Sequence, residues 1–196
     1  MTNPSRLSPA LSRRAFLSGS SLALAALAIG CVRQSEAADA SAPAGKPGTV
    51  TIDEFSNDGK RLRTVDVAKV VKTDAQWQQQ LSPLAFQVAR QDGTERAFSG
   101  PLLDEHRKGV FRCVCCDTAL YSSATKFESG TGWPSFWKPI SARNVVESRD
   151  RSFGMHRTAI SCARCDAHLG HVFDDGPPPT DLRYCMNSVA LTFAKA

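Results

Sequence analysis

Two stretches of this chain decide its fold: Cys113-Val114-Cys115-Cys116 and Cys162-Ala163-Arg164-Cys165. Each stretch contains two cysteines separated by two residues, and two such pairs supply the four thiolates that zinc binds in a tetrahedral arrangement. The pairs are farther apart than in a usual zinc ribbon, so we expect each pair to lie on its own hairpin. The sequence therefore predicts one structural zinc ion that joins the two hairpins, with Cys113, Cys116, Cys162 and Cys165 as its ligands.

Two other uses of these cysteines remain open: a pair of disulfides, which an oxidising compartment favours, and redox-active pairs of the thioredoxin type. The βαβ pattern expected around a redox pair surrounds neither stretch. Four thiolates close a zinc site and leave no position for a substrate, so the predicted zinc supports the fold and takes no part in chemistry. Cys115 lies between two of the ligands and is left over as a spare thiol.

The sequence before the cysteines predicts a β-hairpin followed by two short helices. The hairpin consists of two stretches of alternating apolar residues and a glycine-containing turn: Val50 to Phe55, Asn57-Asp58-Gly59 and Leu62 to Val71. A capping box formed by Thr73 and Gln76 predicts a helix from Asp74 to Leu81. A second helix is expected to begin at Ser82-Pro83 and to end before Gly93.

After Gly100 the pattern changes to short apolar runs interrupted by glycine, proline and aspartate, which is typical of strands. The runs are Val110 to Cys113, Val145 to Ser148, Met155 to Ser161, His168 to Phe173 and Ala190 to Phe193. We therefore expect residues 49–196 to form one mainly β domain of antiparallel sheets, a sandwich or barrel with short helices at its N-terminal side.

The composition is that of a soluble globular protein, with 42% hydrophobic and 22% charged residues. The formal net charge is +5, and the sequence has neither a stripe of lysine and arginine nor a block of acidic residues. The charge pattern of a nucleic-acid-binding protein is therefore missing, so we expect no nucleic acid partner.

Residues 1–40 resemble an export signal. Ser12-Arg13-Arg14 precedes an uncharged run from Ala15 to Ile29 that is rich in alanine and leucine, which is similar to a twin-arginine signal. The run is shorter than the ~20 apolar residues that span a bilayer. Residues 41–48 are typical of a flexible tether. We expect the protein to be exported to the periplasm or cell envelope, touching the membrane only through the signal or a lipid.

Two processing sites for this signal remain open. Cys31 follows Ala28-Ile29-Gly30, as in a lipoprotein signal, and in that case it carries a lipid anchor. Ala38-Asp39-Ala40 instead has the small-x-small form of an ordinary cleavage site. The sequence does not decide between them.

A candidate nucleophile lies in Arg183-Tyr184-Cys185-Met186-Asn187-Ser188. In a strand, alternate side chains point to the same face, so Arg183, Cys185 and Asn187 are expected to share one surface. A nearby cation favours the thiolate, which is the reactive form of cysteine. A small buried core cysteine is the alternative.

Two further stretches supply candidate site residues. His168 and His171 are three residues apart, which places their side chains on opposite faces of a regular strand, but Gly170 can supply a bulge that turns both toward one site. They would then offer an acid close to the thiolate of Cys185. The stretch from Ser129 to Trp137 combines a glycine-permitted turn with rigid aromatic rings, and it could wall a small apolar pocket or belong to ordinary core.

These motifs together are similar to those of the B-type peptide methionine (R)-sulfoxide reductases, and the resemblance covers about residues 73–194. It implies that Cys185 is the catalytic cysteine, that His171 and His168 are active-site histidines and that Asn187 is a polar helper. It also implies that the Trp133 ring packs on the sulfoxide methyl group, with Phe173 and Arg183 at the same substrate site. The four cysteines of the two pairs match the zinc ligands of the family.

The mechanism that the resemblance implies is attack by the Cys185 thiolate on the sulfoxide sulfur while His171 protonates the departing oxygen. Cys185 then becomes a sulfenic acid. Many family members have a second cysteine where Thr131 stands, and it resolves the sulfenic acid as a disulfide. Thr131 lacks a thiol, so we expect reduction by an external thiol, thioredoxin-like or other, unless Cys115 or Cys31 reaches Cys185. Ala159 also departs from the family, which often has a glutamate there.

The expected substrates are oxidised proteins that carry methionine sulfoxide, and the expected oligomeric state is a monomer. Two different functions remain as alternatives. One is a non-catalytic, zinc-bound interaction module in the cell envelope, for which Thr131 and Ala159 would be signs of decay. The other is a thiol-disulfide exchanger that uses the CxxC pairs, which tightly bound zinc would exclude.

Overall fold

A computed structural model describes residues 48–196 except 152, 153 and 155. The predicted signal over residues 1–40 and the predicted tether up to residue 47 lie outside these described residues. In the described part of the chain, no helix has the length and apolar character needed to cross a membrane.

The described residues form a mainly β domain. Its strands are β1 (Thr49–Phe55), β2 (Arg61–Ala68), β3 (Gly109–Cys113), β4 (Ala119–Ser122), β5 (Lys126–Phe127), β6 (Ser135–Phe136), β7 (Val145–Asp150), β8 (Arg157–Cys162), β9 (His168–Phe173), β10 (Arg183–Met186) and β11 (Leu191–Lys195). The helices are α1 (Asp74–Gln80) and α2 (Pro83–Arg90), and short 3-10 turns cover Ser123–Thr125, Ala142–Asn144 and Ser188–Ala190.

The strands pair into three antiparallel sheets. The hairpin β1-β2 is one, the order β5-β6-β10-β9-β8-β7 forms the second, and β11-β3-β4 forms the third. This architecture confirms the predicted fold class of antiparallel sheets with short N-terminal helices. Strand β10 has a partner on each side, so both of its neighbours fix the position of its side chains.

Both helices begin where the sequence predicts. The Thr73 side chain accepts from the Gln76 backbone and the Gln76 side chain accepts from the Thr73 backbone, which is the predicted capping box. Ser82 caps α2, with Pro83 at its first position. Strand boundaries were predicted less well: β2 ends at Ala68 and not at Val71, because the Val70 N–H leaves the hairpin and donates to the carbonyl of Arg164 at 2.8 Å.

Large apolar side chains from the helices and the two larger sheets fill the main core, and a small second cluster contains Phe55, Val110 and Ala119. Those that are nearly fully buried include Trp77, Phe111, Leu120, Tyr121, Phe136, Ile160, Leu169 and Met186. The rings of Tyr121 and Phe136 stack with centroids 4.5 Å apart, and the Tyr121 hydroxyl donates to the Met186 sulfur at 3.1 Å. Because Phe136 lies on β6 and Met186 on β10, the contacts of Tyr121 with both residues help to hold these two strands together.

A fully buried asparagine, Asn144, is one of the residues that attach the hairpin β1-β2 to the rest of the domain. The Asn144 side chain donates to the carbonyls of Asp53 and Ala119 and accepts from the Asp53 N–H, each at 2.8 Å. The carboxylate of Asp53 is itself buried and accepts from Arg61, Thr64 and Ser141. These hydrogen bonds, with that from Arg61 the largest influence, hold the pKa of Asp53 well below its ordinary value.

We predict that Asn144→Ala destabilises the protein, because it leaves buried backbone groups of Asp53 and Ala119 without partners. Each such group costs ~1–3 kcal/mol, so the free energy of unfolding should fall by about 3 kcal/mol in total. Urea unfolding followed by circular dichroism measures the change. The control is Arg63→Ala, which removes only an exposed ion pair to Glu54 and should leave the midpoint almost unchanged. Equal midpoints for Asn144→Ala and the wild type would contradict this account.

Candidate active site

Cys185 lies in the middle of the six-stranded sheet, on β10. It pairs with His171 on β9 and with Ser135 on β6. Residues directly opposite each other in antiparallel strands present their side chains to the same face, so the thiol lies between an imidazole and a hydroxyl. The two strands approach so closely that a Cβ added to Gly170 would lie 2.1 Å from the Cys185 carbonyl oxygen. Position 170 therefore admits only glycine beside the candidate nucleophile.

A pocket of about 230 Å³ opens above Cys185. Its walls are Thr94, Trp133, Arg157, Gly170, His171, Phe173, Cys185 and Asn187. The structure thus brings together five of the residues predicted from the sequence, which come from three separate stretches of chain. The pocket is large enough for a thioether side chain and has aromatic rings on its walls, as is common in sites for small apolar groups.

Opposing effects act on the pKa of the Cys185 thiol. Burial raises its pKa, whereas contacts with Thr131, Arg183 and Ser135 lower it, and burial is the largest single influence. The Thr131 hydroxyl oxygen lies 3.9 Å from the Cys185 sulfur. The net result is a pKa above the ordinary value for a cysteine.

Arg183 shares the surface with Cys185, as strand alternation predicted, but it does not line the pocket. Its guanidinium donates two hydrogen bonds to the Asp175 carboxylate, at 2.8 and 2.9 Å. It also lies 4.4 Å from the centroid of the Phe173 ring. Arg183 is therefore held in place from two sides, and it supports the Phe173 wall of the pocket while its charge favours the Cys185 thiolate.

The two histidines lie side by side because the predicted bulge is present. The pairing of β8 with β9 shifts register between Ile160, opposite Gly170, and Ser161, opposite His168. As a result the two imidazole rings meet edge to face, with centroids 5.3 Å apart. His168 lies behind His171, in a neighbouring cleft of about 840 Å³, and not in the pocket of Cys185.

The histidines differ in their partners. The Nε2 atom of His171 lies 2.8 Å from a carboxylate oxygen of Asp150. The Nε2 atom of His168 is buried and has no hydrogen-bond partner among the described residues. Burial lowers the pKa of both imidazoles, and for His171 the hydrogen bond to Asp150 acts in the opposite direction.

Trp133 and Asn187 are connected by Glu95, a residue that no sequence pattern indicated. The indole N–H of Trp133 donates to the Glu95 carbonyl at 3.2 Å, and the Glu95 N–H donates to the Asn187 side chain at 3.0 Å. The buried Glu95 carboxylate accepts from the N–H groups of Ser188 and Val189. One acidic residue thus holds the aromatic wall of the pocket against the end of β10.

Asn187 lines the pocket, yet its amide is occupied by the backbone. Its oxygen accepts from Glu95, and its nitrogen donates to the Leu169 carbonyl at 3.1 Å. Since both ends of the amide have backbone partners, Asn187 connects β9, β10 and the loop before Trp133. This arrangement gives Asn187 a positioning function in addition to its place in the pocket wall.

The loop that carries Trp133 depends on glycine, as the sequence predicted. Gly130 and Gly132 have φ angles of 72° and 90°, in the left-handed region that L side chains rarely adopt. A Cβ at Gly132 would also lie 2.7 Å from the Phe98 ring. Thr131 stands between these glycines, and the loop conformation turns its hydroxyl toward Cys185.

The four predicted zinc ligands meet on the other side of the domain. Cys113 ends β3 and Cys162 ends β8, so each pair lies at the turn of its own hairpin. Asp117 and Asp166 follow the two pairs with φ angles of 61° and 58°, which gives the two turns the same left-handed residue. The sulfur atoms of Cys113, Cys116, Cys162 and Cys165 all lie within 4.8 Å of one another.

These distances fit a tetrahedral zinc ion. Zinc-sulfur bonds of ~2.3 Å place the sulfur atoms of a tetrahedral site ~3.8 Å apart. The sulfurs of Cys113 and Cys165 are 3.6 Å apart, and those of Cys116 and Cys162 are 3.5 Å apart. No disulfide joins any of the six cysteines in the described part of the chain. The geometry therefore favours a metal over the two disulfides.

Residues 81–195 match the model of the SelR domain. The chain belongs to the SelR-domain family. Both cysteine pairs and every residue of the candidate active site lie inside this domain, whereas the hairpin β1-β2 precedes it.

Several curated relatives of this SelR-domain protein share one name among themselves, peptide methionine sulfoxide reductase MsrB. The protein from Pseudomonas entomophila is 57% identical over 123 residues, which is 63% of this chain and 94% of the relative. That from Thiobacillus denitrificans is 55% identical over 122 residues, or 62% and 92% of the two chains. These similarities confirm the enzyme class predicted from the sequence, a peptide-methionine (R)-S-oxide reductase.

Three residues that contact the active site of the SelR domain were not predicted. Ser135 lies inside the predicted aromatic stretch, but only its cross-strand pairing with Cys185 in the structure places it at the thiol. Asp150 and Glu95 are acidic residues in segments that look like ordinary polar surface, so no sequence pattern separates them from solvent-exposed acids. Their positions depend on contacts between strands or loops that are far apart in the chain.

Proposed function

We propose that this protein reduces methionine (R)-sulfoxide to methionine, preferably in oxidised proteins, with Cys185 as the nucleophile. The observation that carries the proposal is the direct cross-strand pairing of Cys185 with His171. Both residues line the pocket, and the rings of Trp133 and Phe173 form its aromatic walls. A thiol, a titratable imidazole and aromatic rings meet there, and these are the groups that reduction of a thioether oxide requires. A non-catalytic zinc module has no use for this pocket.

The reaction transfers one oxygen atom from the substrate to Cys185. The thiolate attacks the sulfoxide sulfur while His171 donates a proton to the oxygen, so that a sulfur-sulfur bond forms and the substrate oxygen leaves as hydroxide. The hydroxide then attacks the Cys185 sulfur, and the sulfur-sulfur bond breaks to release methionine. The products are methionine and a Cys185 sulfenic acid, so the substrate sulfur is reduced and the cysteine sulfur is oxidised. Trp133 and Phe173 hold the apolar part of the side chain, and Arg183 favours the thiolate.

Regeneration of Cys185 is assigned to an external thiol, thioredoxin-like or other. A first thiol forms a mixed disulfide with Cys185 and releases water, and a second thiol then releases reduced Cys185 and a disulfide. The Thr131 hydroxyl lies 3.9 Å from the Cys185 sulfur, and Thr131 has no thiol to offer. Cys115 is buried among the zinc cysteines, where it contacts Cys113 and Cys165, and not at the pocket. Cys31 lies outside the described residues.

We predict that the purified protein turns over the R epimer of a methionine sulfoxide peptide with dithiothreitol as reductant, and that it does not turn over the S epimer. Cys185→Ser should lose at least ~100-fold in kcat, because serine is not ionised at neutral pH. Chromatography of separated epimers measures both. Reduction of the S epimer alone, or full activity of Cys185→Ser, would contradict the proposal.

A zinc ion is assigned to Cys113, Cys116, Cys162 and Cys165. When bound, it supplies a structural crosslink and no chemistry, since four thiolates complete its coordination. The crosslink joins the turn after β3 to the turn after β8, and so joins the three-stranded sheet to the six-stranded sheet that carries Cys185.

We predict one zinc ion per chain by elemental analysis of the purified protein, with Cys162→Ser losing most of it and unfolding at a lower temperature. Cys115→Ser is the matched control, because it removes a buried thiol from the other cysteine turn without removing a ligand. This variant should keep its zinc and its turnover with dithiothreitol. Loss of turnover in Cys115→Ser with zinc retained would identify Cys115 as a participant in regeneration.

We further propose that residues 1–40 direct export through the twin-arginine route. This route carries folded proteins, which suits a domain that binds its metal before it crosses the membrane. The support is the pair Arg13-Arg14 before the uncharged run from Ala15 to Ile29. Anchoring through Cys31 and cleavage after Ala40 are two outcomes of the same route.

To test export, the full chain and an Arg13→Lys, Arg14→Lys double variant are expressed and the cells are fractionated. The wild type should appear in the periplasmic or membrane fraction, and the double variant should stay in the cytoplasm. Cys31→Ala distinguishes the two endings, because it moves the protein from membrane to periplasm only if Cys31 carries a lipid. Equal export of the double variant would overturn the assignment of the signal.

A further inference from the structure

The Asp150 side chain contacts His171, although the two residues lie on strands that are not neighbours in the sheet. Asp150 ends β7, whereas His171 lies on β9, and the whole of β8 separates these strands. Neighbouring strands are ~4.8 Å apart, so the backbones of β7 and β9 are ~10 Å apart. A carboxylate oxygen of Asp150 nevertheless lies 2.8 Å from Nε2 of His171. The imidazole therefore leans over β8 toward β7.

Ala159 makes this contact possible. It is the β8 residue directly opposite His171, and on its other side it pairs with Ser148 of β7. Its methyl group leaves the space above β8 open, and the neighbouring cleft is lined by Ala159 together with Asp150 and His171. A long side chain at position 159 would occupy the space that the imidazole crosses.

We propose that Asp150 is the positioning residue of His171, which it reaches from β7 across the small side chain of Ala159 on β8. The inference rests on the proposed reductase function. Because Asp150 occupies Nε2, the ring nitrogen left to give a proton to the sulfoxide oxygen is Nδ1. A hydrogen-bonded carboxylate fixes both the orientation of an imidazole and the nitrogen that carries its proton.

The charges around His171 make Asp150 the main source of stabilisation for its protonated form. Arg157 on β8 is positive and lies 2.7 Å from the same carboxylate oxygen, His168 lies against the ring, and the Cys185 thiol faces it from β10. Burial and Arg157 lower the pKa of His171, and Asp150 raises it. Without the carboxylate the pKa falls further, so less of the acid form is present at neutral pH and activity is lost at a lower pH.

The first test compares Asp150→Asn with Asp92→Asn. Asp92 is a carboxylate of the same cleft that makes no hydrogen bond to His171, so it is a matched control. For Asp150→Asn we expect a fall of ~10-fold or more in kcat on an R-sulfoxide peptide, a smaller change in KM, and an alkaline limb of the pH profile shifted to lower pH. Asp92→Asn should match the wild type. An unchanged kcat and pH profile in Asp150→Asn would overturn the proposal.

The second test moves the carboxylate. In the Asp150→Asn background, Ala159→Glu places a carboxylate directly opposite His171 and should restore part of kcat and return the alkaline limb toward its wild-type pH. Ala159→Gln in the same background has the same size without the charge and should restore neither. Equal rescue by glutamine and glutamate would show that only volume matters and would sink the idea. Thermal unfolding shows whether each variant is folded, and an inactive wild type would refute the reductase function itself.

Discussion

The close approach of β9 and β10 at Gly170 is the constraint on which the active site depends. Because Gly170 has no side chain, its backbone can lie close to the Cys185 carbonyl, and β9 and β10 pair so that Cys185 lies directly opposite His171. The same glycine accompanies the bulge that places His168 beside His171. The two turns that carry the cysteine pairs, the aromatic core and the Glu95 contacts surround this central pair of strands.

The sequence predicted the parts of the molecule that depend on local chemistry. The capping box at Thr73, the proline that starts α2, the paired cysteines and the glycines around Thr131 each act over a few residues, so their effect can be derived from the order of the chain. Arg183 and Cys185 were placed on one face by strand alternation alone. The family resemblance then supplied the reason why these separate motifs belong to one site.

The parts that were not predicted depend on contacts between distant segments. Glu95 holds Trp133 and the end of β10, but in the sequence it is one more acidic residue in a polar loop. Asp150 reaches His171 only because β7, β8 and β9 lie side by side and Ala159 is small, and neither the register nor the open space is visible before the sheet is known. Asn187 was predicted as a polar helper, and its backbone partners on β9 and in the Glu95 loop could not be derived from strand alternation.

The buried position of Cys185 also bears on how this thiol survives under oxidising conditions. Peroxides attack thiolates much faster than neutral thiols, and burial keeps the resting pKa of Cys185 above its ordinary value. Burial therefore favours the thiol form of Cys185 over the thiolate. Such a cysteine is shielded from irreversible over-oxidation by the same desolvation that limits its reactivity at rest.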